Sequence, residues 1–136
     1  MAGSRVSLEW VGQGLAFRGS APGGPVVTVD GDGSAGASPM QSLLLSVAAC
    51  MGIDIVMILE KGRVPLTGLA VEVDGDRAED PPRRFTALRM TVRLAGPAPE
   101  DRGKVERAVA LSRERYCSVL HSLSSDLPLD IRVELS

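Results

Sequence analysis

Aromatic side chains are nearly missing from this chain: two Phe, one Tyr and one Trp among 136 residues. Its core must therefore be assembled from Val, Leu, Ile, Met and Ala. Histidine occurs once, and no close grouping of His, Cys and carboxylate accompanies it, so zinc coordination has little support. Neither sign of charge prevails. The 15 Lys and Arg and the 17 Asp and Glu are spread along the chain, which argues against a nucleic-acid footprint. The N-terminal MAGSRVSLEW has no apolar h-region, so no signal peptide is expected and a cytoplasmic location follows. A serine nucleophile elbow, a P-loop and a paired-carboxylate motif are all missing as well. The length suits a single domain over residues 1–136. In a reducing compartment the two cysteines, Cys50 and Cys117, are not expected to form a permanent disulfide. They are either two buried thiols or a redox couple.

What the chain does have is one long apolar stretch, Ser38 to Lys61 (SPMQSLLLSVAACMGIDIVMILEK). It reads as a single helix of roughly 35 Å. Ser38 is a good N-cap, Pro39 fits the first helical position, and Gln41 completes a capping box. Gly62 suits the residue past the end. Leu43, Leu44, Leu45, Val47, Met51, Ile53, Ile55, Val56, Met57, Ile58 and Leu59 cover every side, so the helix should be buried all round. A membrane span is disfavoured, because Asp54 sits inside the run. One small chain has little material to wrap such a helix, which points to a partner chain. Ser42, Ser46, Cys50 and Asp54 recur every four residues and form a polar stripe. That stripe is either a seam for close helix packing or the lining of a site centred on Cys50.

The remaining pattern is short strands and helices. Strands are expected at Val6–Val11, Leu15–Arg18, Val26–Asp30, Leu66–Val73, Phe85–Ala95 and Leu129–Leu135. Asp74 to Pro82 reads as a charged turn. A second helix covers Glu100–Tyr116 with an apolar stripe of Val105, Ala108, Val109 and Ser112, and Cys117 continues or restarts it to about Ser125. The order β-β-β-α-β-β-α-α-β, with antiparallel hairpins on either side of one buried helix, indicates α+β. Two motifs in the loop before the long helix are rejected. Gly31-x-Gly33-x-x-Gly36 lacks the βαβ context of a dinucleotide fingerprint, and Asp30-x-Asp32-x-Ser34 lacks the Gly and Glu of an EF-hand. His121, four after Cys117, reads as an ordinary helix residue.

Thiol chemistry is what remains. A free cysteine with a pKa near 8.5 is only about 3% thiolate at neutral pH. Lowering that pKa by two units needs about 2.7 kcal/mol. One cation about 4 Å away, at an effective dielectric near 20, offers roughly 4 kcal/mol before desolvation is subtracted. Cys50 lies mid-helix, where the helix dipole helps little, and an ionised Asp54 one turn on works against a thiolate. An active Cys50 therefore demands a cation from elsewhere, held in place by Asp54 or otherwise, and Arg18 is the candidate.

The segments SPMQSLLLSVAAC, GIDIVMILEK and KVERAVALSRERYCSV resemble the OsmC/Ohr family, and the likeness extends over nearly the whole chain. The resemblance implies an OsmC-like intertwined homodimer, with long central helices wrapped by antiparallel sheets from both chains. It also implies reduction of organic hydroperoxides or hydrogen peroxide without a cofactor. Carried over by motif, Cys50 attacks the peroxide and becomes a sulfenic acid. Cys117 then condenses with it to a disulfide, which a dithiol such as dihydrolipoamide reduces. The sequence departs from the peroxidase pattern in two places. Met40 stands where the organic-hydroperoxide branch has a Glu that orients an activating Arg, and Ser118 follows Cys117 where Pro is frequent. The alternative is a non-enzymatic OsmC-like dimer that binds a small apolar molecule or senses redox state. A third reading leaves both cysteines as buried hydrophobes with their sulfurs apart.

Overall fold

The computed structural model describes residues 3–136. The chain divides into two compact units, residues 1–43 and 44–136, with the long helix begun in the first and continued in the second.

The first unit is a three-stranded antiparallel sheet of β1 (Ser7–Trp10), β2 (Ala16–Ser20) and β3 (Val27–Asp30), in the order β1-β2-β3. The loop after β3 is organised by Asp30, which is buried. Its carboxylate accepts the Asp32 and Ala35 backbone N–H groups, both at 2.9 Å, and the Ser34 hydroxyl at 3.1 Å. These donors hold its pKa below the usual carboxylate value, the Ala35 N–H contributing most. The Asp30-x-Asp32-x-Ser34 pattern is thus a self-contained turn. Gly36 in the same loop passes directly over the Thr28 backbone, where a side chain has no room.

The loop delivers the chain into α1 (Pro39–Lys61), whose bounds match the sequence reading. The capping box forms: Gln41 N–H donates to Ser38 Oγ at 3.1 Å, and Ser38 N–H donates to Gln41 Oε1 at 3.0 Å. In the second unit, one row of α1, Val47, Met51, Ile55 and Leu59, is wholly buried. The opposite row is open: Leu45, Ile53 and Met57 are 61%, 59% and 62% exposed. The expectation of a helix buried on every side is therefore met on one face only within the single chain. By length and composition α1 alone, among the described residues, is able to cross a membrane. Against that use, Asp54 in its middle is hydrogen-bonded to Ser112.

The second unit also holds a sheet of β4 (Gly68–Arg77), β5 (Phe85–Ala95) and β6 (Leu129–Leu135), in that order. Phe85, Leu88, Met90, Val92 and Leu94 of β5 turn inward, while Arg89 and Arg93 face solvent. A register shift at Asp76/Arg77 lets both Phe85 and Leu88 point to the core. Two features depart from the sequence reading. β4 runs on to Arg77, through residues read as a turn, because Arg89 on the neighbouring strand makes a bidentate pair with Asp76 at 2.9 and 3.0 Å. And β6 pairs parallel to β5, so this sheet is mixed where antiparallel strands alone were expected. The α+β class stands.

The connection from β5 to β6 carries a 3₁₀ turn (Pro99–Asp101), α2 (Arg102–Leu111), a π-helical turn (Ser112–Tyr116) and the short α3 (Ser118–His121). Val105, Ala108, Val109 and Ser112 are all buried, as their spacing predicts. The single helix expected over 100–116 is instead three segments. Its last turn widens to the π form, with Cys117 N–H reaching the Ser112 carbonyl at 2.8 Å.

Candidate thiol site

Cys50 lies midway along α1, half-buried, on the row next to the buried one. Asp54 is one turn further along the same row. Cys117 sits where the π-turn ends and α3 begins, with extended backbone (φ −71°, ψ 96°) and no exposed surface. Its sulfur caps α3, accepting the Leu120 N–H at 3.4 Å. The Cys50 thiol lies near enough to Cys117 to raise its pKa, and neither cysteine is in a disulfide. The fold thus brings side chains from α1 and from the β5–β6 connection into contact, although the sequence keeps them far apart.

The electrostatics of Cys117 follow from this placement. Burial pushes its thiol up to about 11 from an ordinary 9.0; the Leu120 N–H opposes the rise, and the Cys50 thiol and the Asp54 carboxylate reinforce it. Cys117 is accordingly held as a neutral thiol at physiological pH. Asp54 is tied to the same spot from the other side, since Ser112 Oγ donates to Asp54 Oδ2 at 2.8 Å. Ser112 is completely buried and stands at the first position of the π-turn.

By its spacing Ser112 falls on the apolar stripe of the second helix, which assigns it no role at the site. The available signal was a lone polar residue in that stripe, which needs a buried partner. Arg18 stands in the middle of β2, exposed, opposite Glu9 on β1 and Thr28 on β3. It belongs to the first unit. His121 makes an ordinary structural contact, its Nε2–H donating to the Arg113 carbonyl at 2.9 Å. Among the described residues no group of three or more His, Cys, Asp and Glu is placed to hold a metal ion. An open cleft of about 990 Å³ starts at Asp54 and is lined largely by Met57, Ile58, Leu111 and Tyr116, with Glu60 and Lys61 at the helix end.

The fold defines a class: two three-stranded sheets, one long helix, and a cysteine on that helix facing a second cysteine near the C-terminus. The sequence profile described as OsmC-like protein matches residues 31–132. The chain is 38% identical over 113 residues to protein YhfA of Escherichia coli K12, an alignment covering 82% of this chain and 83% of YhfA. A crystal structure of a hypothetical protein from Aquifex aeolicus VF5 superposes with a TM-score of 0.87 at 28% identity, over 100% of this chain and 98% of that one. The organic hydroperoxide resistance protein OhrB of Bacillus subtilis shares the fold at a TM-score of 0.60 and 18% identity, over 99% and 98% of the two chains. The chain belongs to the OsmC-like protein family.

Proposed function

We propose that this protein is a cytoplasmic, dimeric thiol peroxidase that reduces hydroperoxides through Cys50 and Cys117. The placement of Cys50 and Cys117 on two elements joined by the Ser112–Asp54 hydrogen bond, near enough for each thiol to act on the other, carries the reading. The Cys50 thiolate attacks the outer oxygen of ROOH. The O–O bond breaks, ROH leaves with a proton from solvent, and Cys50 becomes a sulfenic acid. Cys117 then attacks the sulfenic sulfur. The hydroxyl leaves as water, taking the Cys117 proton, and a disulfide remains. An external dithiol returns two electrons and two protons. The burial of Cys117 suits the second role: a protonated, enclosed thiol does not compete for peroxide and reacts only with a partner delivered beside it.

The apolar cleft next to Asp54 is wide enough for the hydrocarbon part of an organic hydroperoxide. The open row of Leu45, Ile53 and Met57 supports a second copy covering α1. Arg18 is the candidate cation for Cys50. In the test, cumene hydroperoxide consumes both thiols stoichiometrically in the wild type and neither in Cys50→Ser. Thiols that stay intact under excess peroxide would end the proposal.

Met40 favours a second reading, a dimer that senses redox state or binds a small apolar molecule, because a thioether has no charge with which to hold an arginine. The two separate by turnover. A peroxidase consumes many equivalents of peroxide with dihydrolipoamide present, whereas a sensor stops after one.

A further inference from the structure

The chain from α1 to Cys117 runs through two hydrogen bonds on a single residue. Ser112 donates its hydroxyl to Asp54, one turn beyond Cys50, and its carbonyl accepts the Cys117 backbone N–H. Asp54 and Cys50 share one rigid helix, so their separation is fixed. Ser112 and Cys117 are the two ends of one widened turn, so theirs is fixed as well. The Asp54–Ser112 bond is the polar cross-link between these two rigid pieces. It lies in a part-buried setting, where a hydrogen bond to a carboxylate is stronger than one in water.

We infer that Asp54 and Ser112 are positioning residues that hold the Cys117 thiol against Cys50 for disulfide closure. This inference rests on the proposed redox role of the cysteine pair, though not on peroxide as the oxidant. The π-turn serves the same purpose. A regular α-helical turn would close one residue earlier, whereas the wider one lets a single residue bond both to α1 and to the Cys117 backbone. Neither positioning residue need touch the substrate. Their effect is on how often the reduced pair is in reach, that is, on its effective concentration.

The test is a redox titration of the full-length protein in mixtures of oxidised and reduced dithiothreitol, with the Cys50–Cys117 disulfide quantified by mass. Each exchange moves two electrons and two protons from the protein dithiol to oxidised dithiothreitol. Ser112→Ala and Asp54→Ala should each lower the equilibrium constant for the protein disulfide at least about tenfold, a shift of about 30 mV. The double variant should fall no further than either single one, because both remove the same bond. Asp54→Asn, which keeps an acceptor oxygen, should recover most of the loss. If one variant fails to fold, the other reads the same bond alone. A Ser112→Ala equilibrium equal to wild type overturns the inference. So do strictly additive losses, and so does a wild-type protein that forms no Cys50–Cys117 disulfide. A parallel arm with cumene hydroperoxide separates the two claims. Dithiothreitol-linked closure that weakens in Ser112→Ala, in a protein inert to peroxide, rejects the peroxidase and upholds the positioning pair.

Discussion

Leu120 donates its backbone N–H to the sulfur of Cys117 at 3.4 Å, and the Cys50 thiol is near enough to raise the pKa of that sulfur. Cys117 is thus buried, with its sulfur capped by the short helix that follows it. Two measurements follow. Under native conditions iodoacetamide should modify Cys50 first, with Cys117 at least about tenfold slower, since the reagent must wait for local opening. Peptide mass mapping against time checks the order, and equal rates would show that Cys117 is not enclosed.

The second concerns alkali. The folded Cys117 titrates near 11 and the unfolded thiol near 9.0, so the native state retains its proton longer. Below pH 9 both states are protonated and the full benefit is present. Between about 9 and 11 only the unfolded chain ionises, and stability falls with rising pH. Urea midpoints across this range should drop for the wild type, and the part due to this thiol should vanish in Cys117→Ala.

Gly75 of β4 lies under the ring of Phe85, and a methyl group there would stand 2.6 Å from two ring carbons. Gly75→Ala should destabilise the second unit by about 1–3 kcal/mol, the usual cost of overpacking. Urea unfolding followed by circular dichroism gives the number. An unchanged midpoint would mean that Phe85 yields freely.

The uncovered row of α1 makes a sharp test of the proposed dimer. Ile53→Glu places a charge in the middle of that row and should convert a dimer into monomer or unfolded chain at micromolar concentration, as read by sedimentation equilibrium. A wild-type protein that sediments as a monomer, or an Ile53→Glu dimer of unchanged affinity, removes this face from the interface.

Asp30 gathers two backbone donors and one hydroxyl, and its folded pKa lies below 3.8. Its stabilisation is therefore complete above about pH 4 and is lost as pH falls through the lower, folded value. Asp30→Ala should lower the melting temperature at pH 7 and flatten its fall at acid pH. Scanning calorimetry at pH 2, 4 and 7 decides it.

The elements legible from sequence were those fixed by local chemistry. Ser38, Pro39 and Gln41 set the start of α1 because a cap is made by neighbours in the chain. Alternation set β6 and most of β5, from Leu88 onward. The C-terminal half of β4 was not legible, since Asp74, Gly75 and Asp76 are turn residues until Arg89 stands opposite. The π-turn leaves no periodic trace. Pairing direction was also invisible, because β6 alternates alike beside either face of a neighbour. For the site, Cys50 and Cys117 were evident as the only thiols, but their contact and the part played by Ser112 depend on long-range packing.

The parallel alignment of β6 with β5 has an evolutionary corollary. Two strands running the same way cannot be joined by a tight hairpin, so the chain must travel the length of the sheet before re-entering it. That return path, residues 96–128, is where Cys117 resides. Lengthening or shortening the path moves Cys117 relative to α1 while leaving every strand in register, so the placement of this thiol is separable from the scaffold that carries it.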